Sequence, residues 1–374
     1  MGSSHRTSIH TRDRNLSLHT DIHEEEGRIV SILFDGGRKL AEVWREYDDG
    51  LSPQDLNAEI ERYHLESVNC IEFLYSISAR VKTVRHPVSM NKLGLMFLKW
   101  GLIDEAISEF ELAIQYDSSI GELYLNLGSS YLKRGGVEEA IEVLEKGVEV
   151  SPTYADIRFK LGVAYYSGKL YSEAVDSFEK ALLINPVYDE AHFFLALTLL
   201  ERILNNQDER GDFNEKECMD RVREHLNRTV SISERFKTKN FEEAVRKIHK
   251  GDRKGAHLLL KEISLNIPKV IDLDFHHYFY LNYIYGDSGK DKKVVDDYVS
   301  MLERLVKKHP DFPDIRNMLG IAYLIQCRNL YMKSLFQFGK ACEINSKYKR
   351  ARQNLRLAEN EGKGILILLR AMLK

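Results

Sequence analysis

Proline is scarce, with 7 in 374 residues, well under half of the roughly 5% of an average protein. A chain so poor in the residue that breaks helices favours helix. Cysteine is scarcer still: Cys70, Cys218, Cys327 and Cys342 lie far apart. None stands in C-x-x-C spacing, so neither a zinc site nor a dithiol redox motif is suggested. They read as thiols in a reducing compartment, which predicts a cytoplasmic protein. Charge of one sign is also lacking. With 54 basic and 57 acidic side chains the net charge is -3, which argues against a strongly basic nucleic-acid binder. No stretch reaches the roughly 18 uncharged apolar residues of a membrane span. Residues 1–26 are polar throughout, lack the apolar core of a secretory signal, and are expected to form a disordered tail. The phosphate-cradling G-x-x-x-x-G-K-[ST], the dinucleotide G-x-G-x-x-G after a strand, the metalloprotease H-E-x-x-H and the hydrolase G-x-S-x-G are all missing. No enzyme activity and no cofactor are expected.

What the sequence has is a period. Leu93-Gly94, Leu127-Gly128 and Leu161-Gly162 recur at 34-residue intervals, and Leu195-Ala196 falls on the next beat. Ala106, Ala140 and Ala174 keep the same step, as do Phe97, Tyr131 and Tyr165, and Phe110, Leu144 and Phe178. Pro152 and Pro186 close two of the units. A glycine inside a helix costs about 1 kcal/mol against alanine. Its recurrence therefore implies a close helix crossing there, for which Ala106, Ala140 and Ala174 would be the small partners. Large side chains such as Tyr131 and Phe178 would fill the space away from the crossing. Gly101 and Gly135 fall where two helices must turn, the usual place for a left-handed C-terminal residue. Each unit is thus a helical hairpin with an apolar side that only stacking can bury.

This pattern resembles the tetratricopeptide repeat family. The resemblance implies an all-α, right-handed solenoid of helix-turn-helix units with helical caps. Residues 27–86 would form an N-terminal helical cap, with helices over 28–47 and 53–85. Ser52, Pro53 and Asp55 make a cap, a first-turn proline and an acid for the second of them. Regular units run over 87–120, 121–154 and 155–188, and the first helix of a fourth reaches residue 200. A polar insertion follows over 201–218. Degenerate units then occupy 219–348, with a second helix near Met219–Ile232, a fifth unit over 237–270, a sixth to about 312 and a seventh over about 313–348. A basic capping helix and apolar tail close the chain over 349–374. The aromatic usual early in each unit appears as Tyr124 only, with Met90 and Arg158 in its place elsewhere.

In this family the first helix of each unit lines a concave groove, and ligand contacts come from its second, fifth, ninth and twelfth residues. Carried onto this chain, the last three places give Asn91, Leu95, Leu98, Leu125, Ser129, Leu132, Phe159, Val163, Tyr166, Phe193, Leu197 and Leu200, with Asn317, Ile321 and Leu324 in the seventh unit. The sixth places hold Lys92, Asn126, Lys160 and Phe194. Asn126 and Lys160 fit the carboxylate clamp of heat-shock co-chaperones, but Asn91, Leu95 and Asp156 occupy its other places, which argues against that mode. A single asparagine at the sixth place argues against the ladder of O-GlcNAc transferase. Twelve of the fifteen fifth, ninth and twelfth places are apolar or aromatic, more than a solvated surface usually carries. The expected partner is a protein or peptide, either an amphipathic helix or an apolar segment. Covering by the chain's own flanks and plain packing between hairpins are the competing readings. Glu122, Asp156, Glu190, Asp272 and Asp314 at the second places read as first-turn acids favoured by the helix dipole. Residues 87–200 nevertheless hold 17 acidic and 9 basic side chains, a field that favours basic partners.

The expected role is a non-catalytic scaffold, adaptor or assembly factor. A peptide-responsive sensor is the first alternative. The second is a peripheral membrane assembly protein that uses Lys349, Arg350, Arg352, Arg356 and the apolar tail as a surface contact, against which stands a tail folded onto the last repeat. Asp272, Asp274, His276 and His277 form the best metal candidate, but read as acids at a helix start beside packed or solvated histidines, and no metal is expected.

Overall fold

The computed structural model describes residues 4–11, 14–48, 50–205, 214–268, 272–310, 312–344, 352–359 and 364. The chain divides into two compact units, Met1–Asp274 and Phe275–Lys374.

The amino-terminal segment corrects the expected tail and first helix. It forms a four-stranded antiparallel meander of β1 (His5–His10), β2 (Asn15–His23), β3 (Arg28–Asp35) and β4 (Arg38–Glu46) in the order β1-β2-β3-β4. The cause lies in period-two alternation. Leu16, Leu18, Thr20 and Ile22 share one face of β2 and stand opposite Asp35, Leu33, Ser31 and Ile29 of β3. The run Asp35-Gly36-Gly37 then turns the chain, with φ of +54° and +86° at the two glycines. A two-residue hairpin turn that matches strand twist needs positive φ at both central positions. The long helix α1 (Pro53–Val84) starts at Ser52, whose side chain accepts from the Asp55 N–H. It covers this face with residues including Ile60 and Tyr63, which pack against Ile29. One polar chain is threaded through the contact. His64 of α1 lies 2.8 Å from the Thr20 hydroxyl and 2.7 Å from that of Thr7, and Thr20 lies 2.7 Å from Ser31. Buried polar groups are tolerated because they find partners in this way.

Three hairpins follow in the expected phase. They are α2 (Pro87–Lys99) with α3 (Ile103–Tyr116), α4 (Gly121–Arg134) with α5 (Val137–Val150), and α6 (Ala155–Ser167) with α7 (Tyr171–Ile184). The crossing differs from the expectation in one respect. A Cβ on Gly94, Gly128 or Gly162 would lie 2.6, 2.5 or 2.6 Å from Phe110, Leu144 or Phe178. The glycines therefore seat large side chains of the second helix, while Ala106, Ala140 and Ala174 are fully buried neighbours. Hairpins are tied to each other by a repeated bond: the Tyr131 hydroxyl donates to Glu111 and that of Tyr165 to Glu145, each at 2.5 Å.

A second repeated bond accounts for Arg158 at the aromatic place, though not for Met90, whose side chain has no donor. The fourth residue of a unit donates to a carbonyl six residues back: Tyr124 to Ser118, Arg158 to Pro152 and His192 to Pro186, each at 3.1 Å. The position selects a long side chain with a donor, so tyrosine, arginine and histidine all serve.

The fourth hairpin joins α8 (Asp189–Asn205) to α9 (Glu215–Ile232), and the fifth joins α10 (Lys239–His249) to α11 (Arg253–Leu265). The expected insertion over 201–218 is thus helical at both ends, and its residues 206–213 lie outside the described residues. The fifth hairpin does not continue the regular stacking, because α11 packs on α8. Phe193 stacks on Phe236 at 5.2 Å between ring centres and meets Phe241. Phe193, Leu197, Leu200, Phe236, Phe241, Ala256 and Leu260 belong to one core.

The second unit comprises nearly all of α12 (Asp274–Tyr285), then α13 (Lys292–Lys308), α14 (Pro313–Ile344) and a helical stretch over 352–359. Phe279 stacks on Tyr298 with ring centres 3.6 Å apart, and His276 Nδ1 lies 2.5 Å from the Tyr298 hydroxyl. Repeat logic persists into α14. Tyr323 donates to Glu303 at 2.7 Å across the same 20-residue spacing as Tyr131 and Glu111, and Arg316 donates to the Pro310 carbonyl at 2.8 Å. The expected seventh hairpin, however, is one unbroken helix of 32 residues. The segment where a turn should fall, Ile325–Leu330, offers neither glycine nor proline. Among the described residues Gly320 also meets nothing within 4 Å of its Cβ direction, so no described helix crosses there.

Candidate peptide-binding groove

The first helices of the three regular hairpins lie side by side, α2 against α4 and α4 against α6. Their inward faces carry most of the residues expected to meet a partner. Leu95, Leu98, Leu125, Ser129, Leu132, Val163 and Tyr166 are half-buried, with Asn126 and Lys160 among them. Two more are nearly closed off, Asn91 at 6% and Phe159 at 3% exposure. Phe193, Leu197 and Leu200 are fully buried, which corrects their assignment to the groove. The residues that close over them, Phe236, Phe241 and Leu260, come from the fifth hairpin, a contact that spacing within the fourth unit cannot reveal. In the second unit Asn317 is exposed while Ile321 and Leu324 are half-buried.

A polar row runs between the apolar places. Asn126 donates to the Asn91 side-chain carbonyl at 2.8 Å, and Asn91 donates to Glu122 at 3.0 Å. Lys92 lies toward Glu122, and burial pulls its ammonium below the usual lysine range. Lys160 is shifted the same way by burial, with Glu190 and Asp156 opposing the shift. Of the acids at the second places, Glu122, Asp156 and Glu190 are engaged by the chain itself. Glu122 holds Asn91, while Glu190 and Asp189 share Arg235 at 2.8 Å. Burial first, and then Asp156, push the Tyr188 hydroxyl upward. An amide row flanked by Leu95, Leu98, Leu132 and Val163 offers donors and acceptors to a peptide backbone and apolar surface to its side chains.

Beyond Tyr166 the row ends at an aromatic wall. Phe194 meets Phe159 at 5.5 Å and Tyr166 at 6.4 Å between ring centres. His257 of α11 meets the Glu201 carboxylate of α8. Sequence reasoning missed Arg235 and His257, because both act across hairpins that lie far apart in sequence. Among the basic residues expected at the carboxyl end, Arg352 and Arg356 are exposed. Lys349, Arg350 and the apolar tail lie outside the described residues. No helix among the described residues is long and apolar enough to cross a membrane. Among the described residues, no group of three or more histidine, cysteine, aspartate or glutamate side chains is placed to hold a metal. Asp272 instead accepts from the Asp274 N–H at 2.8 Å, at the start of α12.

Family models for the tetratricopeptide repeat match residues 88–120 and 155–188, and a TPR-repeat model matches 128–168. The matched segments are tetratricopeptide repeats. Segments 88–120 and 155–188 coincide with the first and third hairpins, and 128–168 runs from the middle of α4 through α5 and α6. Among solved structures, MamA is similar at 20% identity over 50% of this chain and 98% of its own, with a TM-score of 0.38. YrrB, a repeat protein described as having an unusual peptide-binding site, is similar at 16% identity over 55% of this chain and 96% of its own, with a TM-score of 0.36. The second repeat domain of human RPAP3, in complex with an HSP70 peptide, is similar at 25% identity over 31% of this chain and 97% of its own, with a TM-score of 0.30. No curated protein matches the chain in sequence.

Proposed function

We propose that this protein is a non-catalytic scaffold or adaptor that binds a peptide segment of a partner protein along α2, α4 and α6. The observation that carries the reading is the combination of the Asn91–Asn126 amide row with half-buried Leu95, Leu98, Leu132, Val163 and Tyr166. Apolar side chains on adjoining helices left half-open suit a segment that brings its own apolar residues. The amides suit its backbone, and together they favour an amphipathic or apolar partner segment over a wholly charged one. Repeats of this type generally serve as interaction modules, which supports a binding role over catalysis. Four free cysteines fit a reducing, cytoplasmic setting. The test is affinity capture with the Leu98→Glu, Leu132→Glu variant beside wild type, after circular dichroism has shown equal helicity. Loss of a partner from the variant alone supports the groove, and equal capture by both rejects it.

A further inference from the structure

The outer face of α11 carries a stripe of side chains that the core does not use. The inner face is taken up by packing: Ala256 and Leu260 are fully buried there, with Leu259 and Ile263 beside them. On the opposite side stand Lys254, Leu258, Lys261 and Leu265. Spacings of four, three and four residues put these in one line along the helix, which at 1.5 Å per residue runs for about 16 Å. Leu258 is 68% and Leu265 79% exposed, and both lysines are exposed as well. Exposed leucines scattered singly need no explanation. Here two stand seven residues apart, the repeat at which one helix meets another.

The charge along the stripe is of one sign. Residues 239–265, which span α10 and α11, hold 7 basic and 4 acidic side chains. Two of those acids are engaged within the hairpin, Glu243 with Arg246 at 2.8 Å and Asp252 with Lys247 at 2.7 Å. Asp252 also accepts from the Gly255 N–H as the cap of α11. Lys254 and Lys261 have no ion-pair partner among the described residues, and neither has Lys250 at the end of α10. Glu262 flanks the stripe on one side, about 60° around the helix from Leu265. A lysine lays its methylenes along apolar surface and keeps its ammonium at the edge. Lys254 and Lys261 thus widen the leucine surface and select the charge of whatever lies on it. A lipid surface suits this face less well, because a helix lying in a membrane interface buries a broad apolar face, not two leucines in a line.

We propose that α11 docks an amphipathic helix of a partner protein that carries apolar residues along one seam and glutamate or aspartate on its flanks. The apolar seam packs on Leu258 and Leu265, and the flanking carboxylates pair with Lys254 and Lys261. This surface uses none of the residues of the groove along α2, α4 and α6.

The test is fluorescence anisotropy of the full chain with a labelled synthetic helix of about 18 residues. The peptide bears leucine at i, i+4, i+7 and i+11 and glutamate on both flanks, and a second peptide carries lysine in place of every glutamate. The expected result is saturable binding of the acidic helix and none of the basic one. That binding should weaken about 3-fold or more between about 0.05 and 0.5 M salt. Leu258→Ala with Leu265→Ala should weaken it about 10-fold or more, while alanine preserves the helix. Lys254→Glu with Lys261→Glu should lose the acidic helix and gain the basic one, which an unfolded variant cannot do. Leu98→Glu with Leu132→Glu, which alters only the groove, should leave the affinity unchanged. Absence of binding of the acidic helix up to about 1 mM, affinity unchanged in the alanine variant, or loss in the groove variant alone would overturn the proposal. So would binding of phosphatidylserine vesicles without binding of the helix, which would make α11 a membrane contact.

Discussion

Gly162 and Gly320 occupy the same place in their units, and one substitution should move them in opposite directions. Replacing a helical glycine by alanine gains about 1 kcal/mol of helix propensity wherever the new methyl is free. At Gly320 it is free, because no described residue lies within 4 Å of the Cβ direction. Gly320→Ala should therefore stabilise the second unit by about 1 kcal/mol. At Gly162 the methyl would lie 2.6, 2.7 and 2.9 Å from three atoms of the Phe178 ring. Phe178 is fully buried and meets Phe159 and Phe194, so the ring has little room to retreat. Overpacking of this kind costs about 1–3 kcal/mol. After subtraction of the propensity gain, Gly162→Ala should range from neutral to about 2 kcal/mol destabilising. Urea unfolding by far-ultraviolet circular dichroism gives the midpoints, and amide hydrogen exchange assigns each change to α6 or α14. A clear stabilisation by Gly162→Ala, or a loss on Gly320→Ala, would refute the assignment of a close crossing to α6 and α7 and of an open flank to α14.

The turn of the third hairpin carries Lys169 at φ +61°, where the first two have Gly101 and Gly135. Lys169→Gly should raise stability by up to about 1 kcal/mol in the same urea assay. Gly101→Ala should do the reverse, because at φ +68° its Cβ would lie 2.3 Å from the Leu40 carbonyl oxygen of β4. Removal of the hydroxyl in Tyr131→Phe or Tyr165→Phe should cost about 1 kcal/mol each, and their sum in the double variant tests whether the two ties act independently. His225 lies 2.9 Å from His192, and burial first, then His192, Arg221 and Arg228, depress it to about 4. The unfolded histidine titrates near 6.5, so the fourth hairpin keeps this stability above that pH and loses it as pH falls from 6.5 toward about 4. The loss should be about 1 kcal/mol by the middle of that window after discount for partial exposure, and His225→Asn should flatten the pH dependence of the urea midpoint.

The repeats were legible because a 34-residue period imposes the same residue on the same contact several times over. Gly94, Gly128 and Gly162 announce a crossing before its partner is known. The identity of that partner was not legible, since Ala106 and Phe110 recur with equal regularity and only geometry tells which one faces the glycine. The sheet had its own signal in the alternation of Leu16, Leu18, Thr20 and Ile22 and in Asp35-Gly36-Gly37. The polarity of the intervening residues masked it when the segment was judged by composition. In α14 the misleading cue was Leu319-Gly320 with Tyr323, which repeats one hairpin helix faithfully while the turn that should follow is missing. The burial of Phe193, Leu197 and Leu200 depends on Phe236, Phe241 and Leu260, and unit-by-unit carry-over from a family pattern assigns residues to a face without knowing what later chain will cover it.

The groove is tested most directly by comparative capture from native lysate with three proteins: wild type, Leu98→Glu with Leu132→Glu, and Leu183→Glu. Leu183 is 82% exposed on α7 and serves as the surface control, while Phe159, Phe193 and Leu197 are unsuitable because their replacement would break the core. Quantitative mass spectrometry of the captured proteins is the readout. The account predicts a partner retained by wild type and by Leu183→Glu and lost from the doubly substituted groove. Retention of the same partners by a folded groove variant would contradict it.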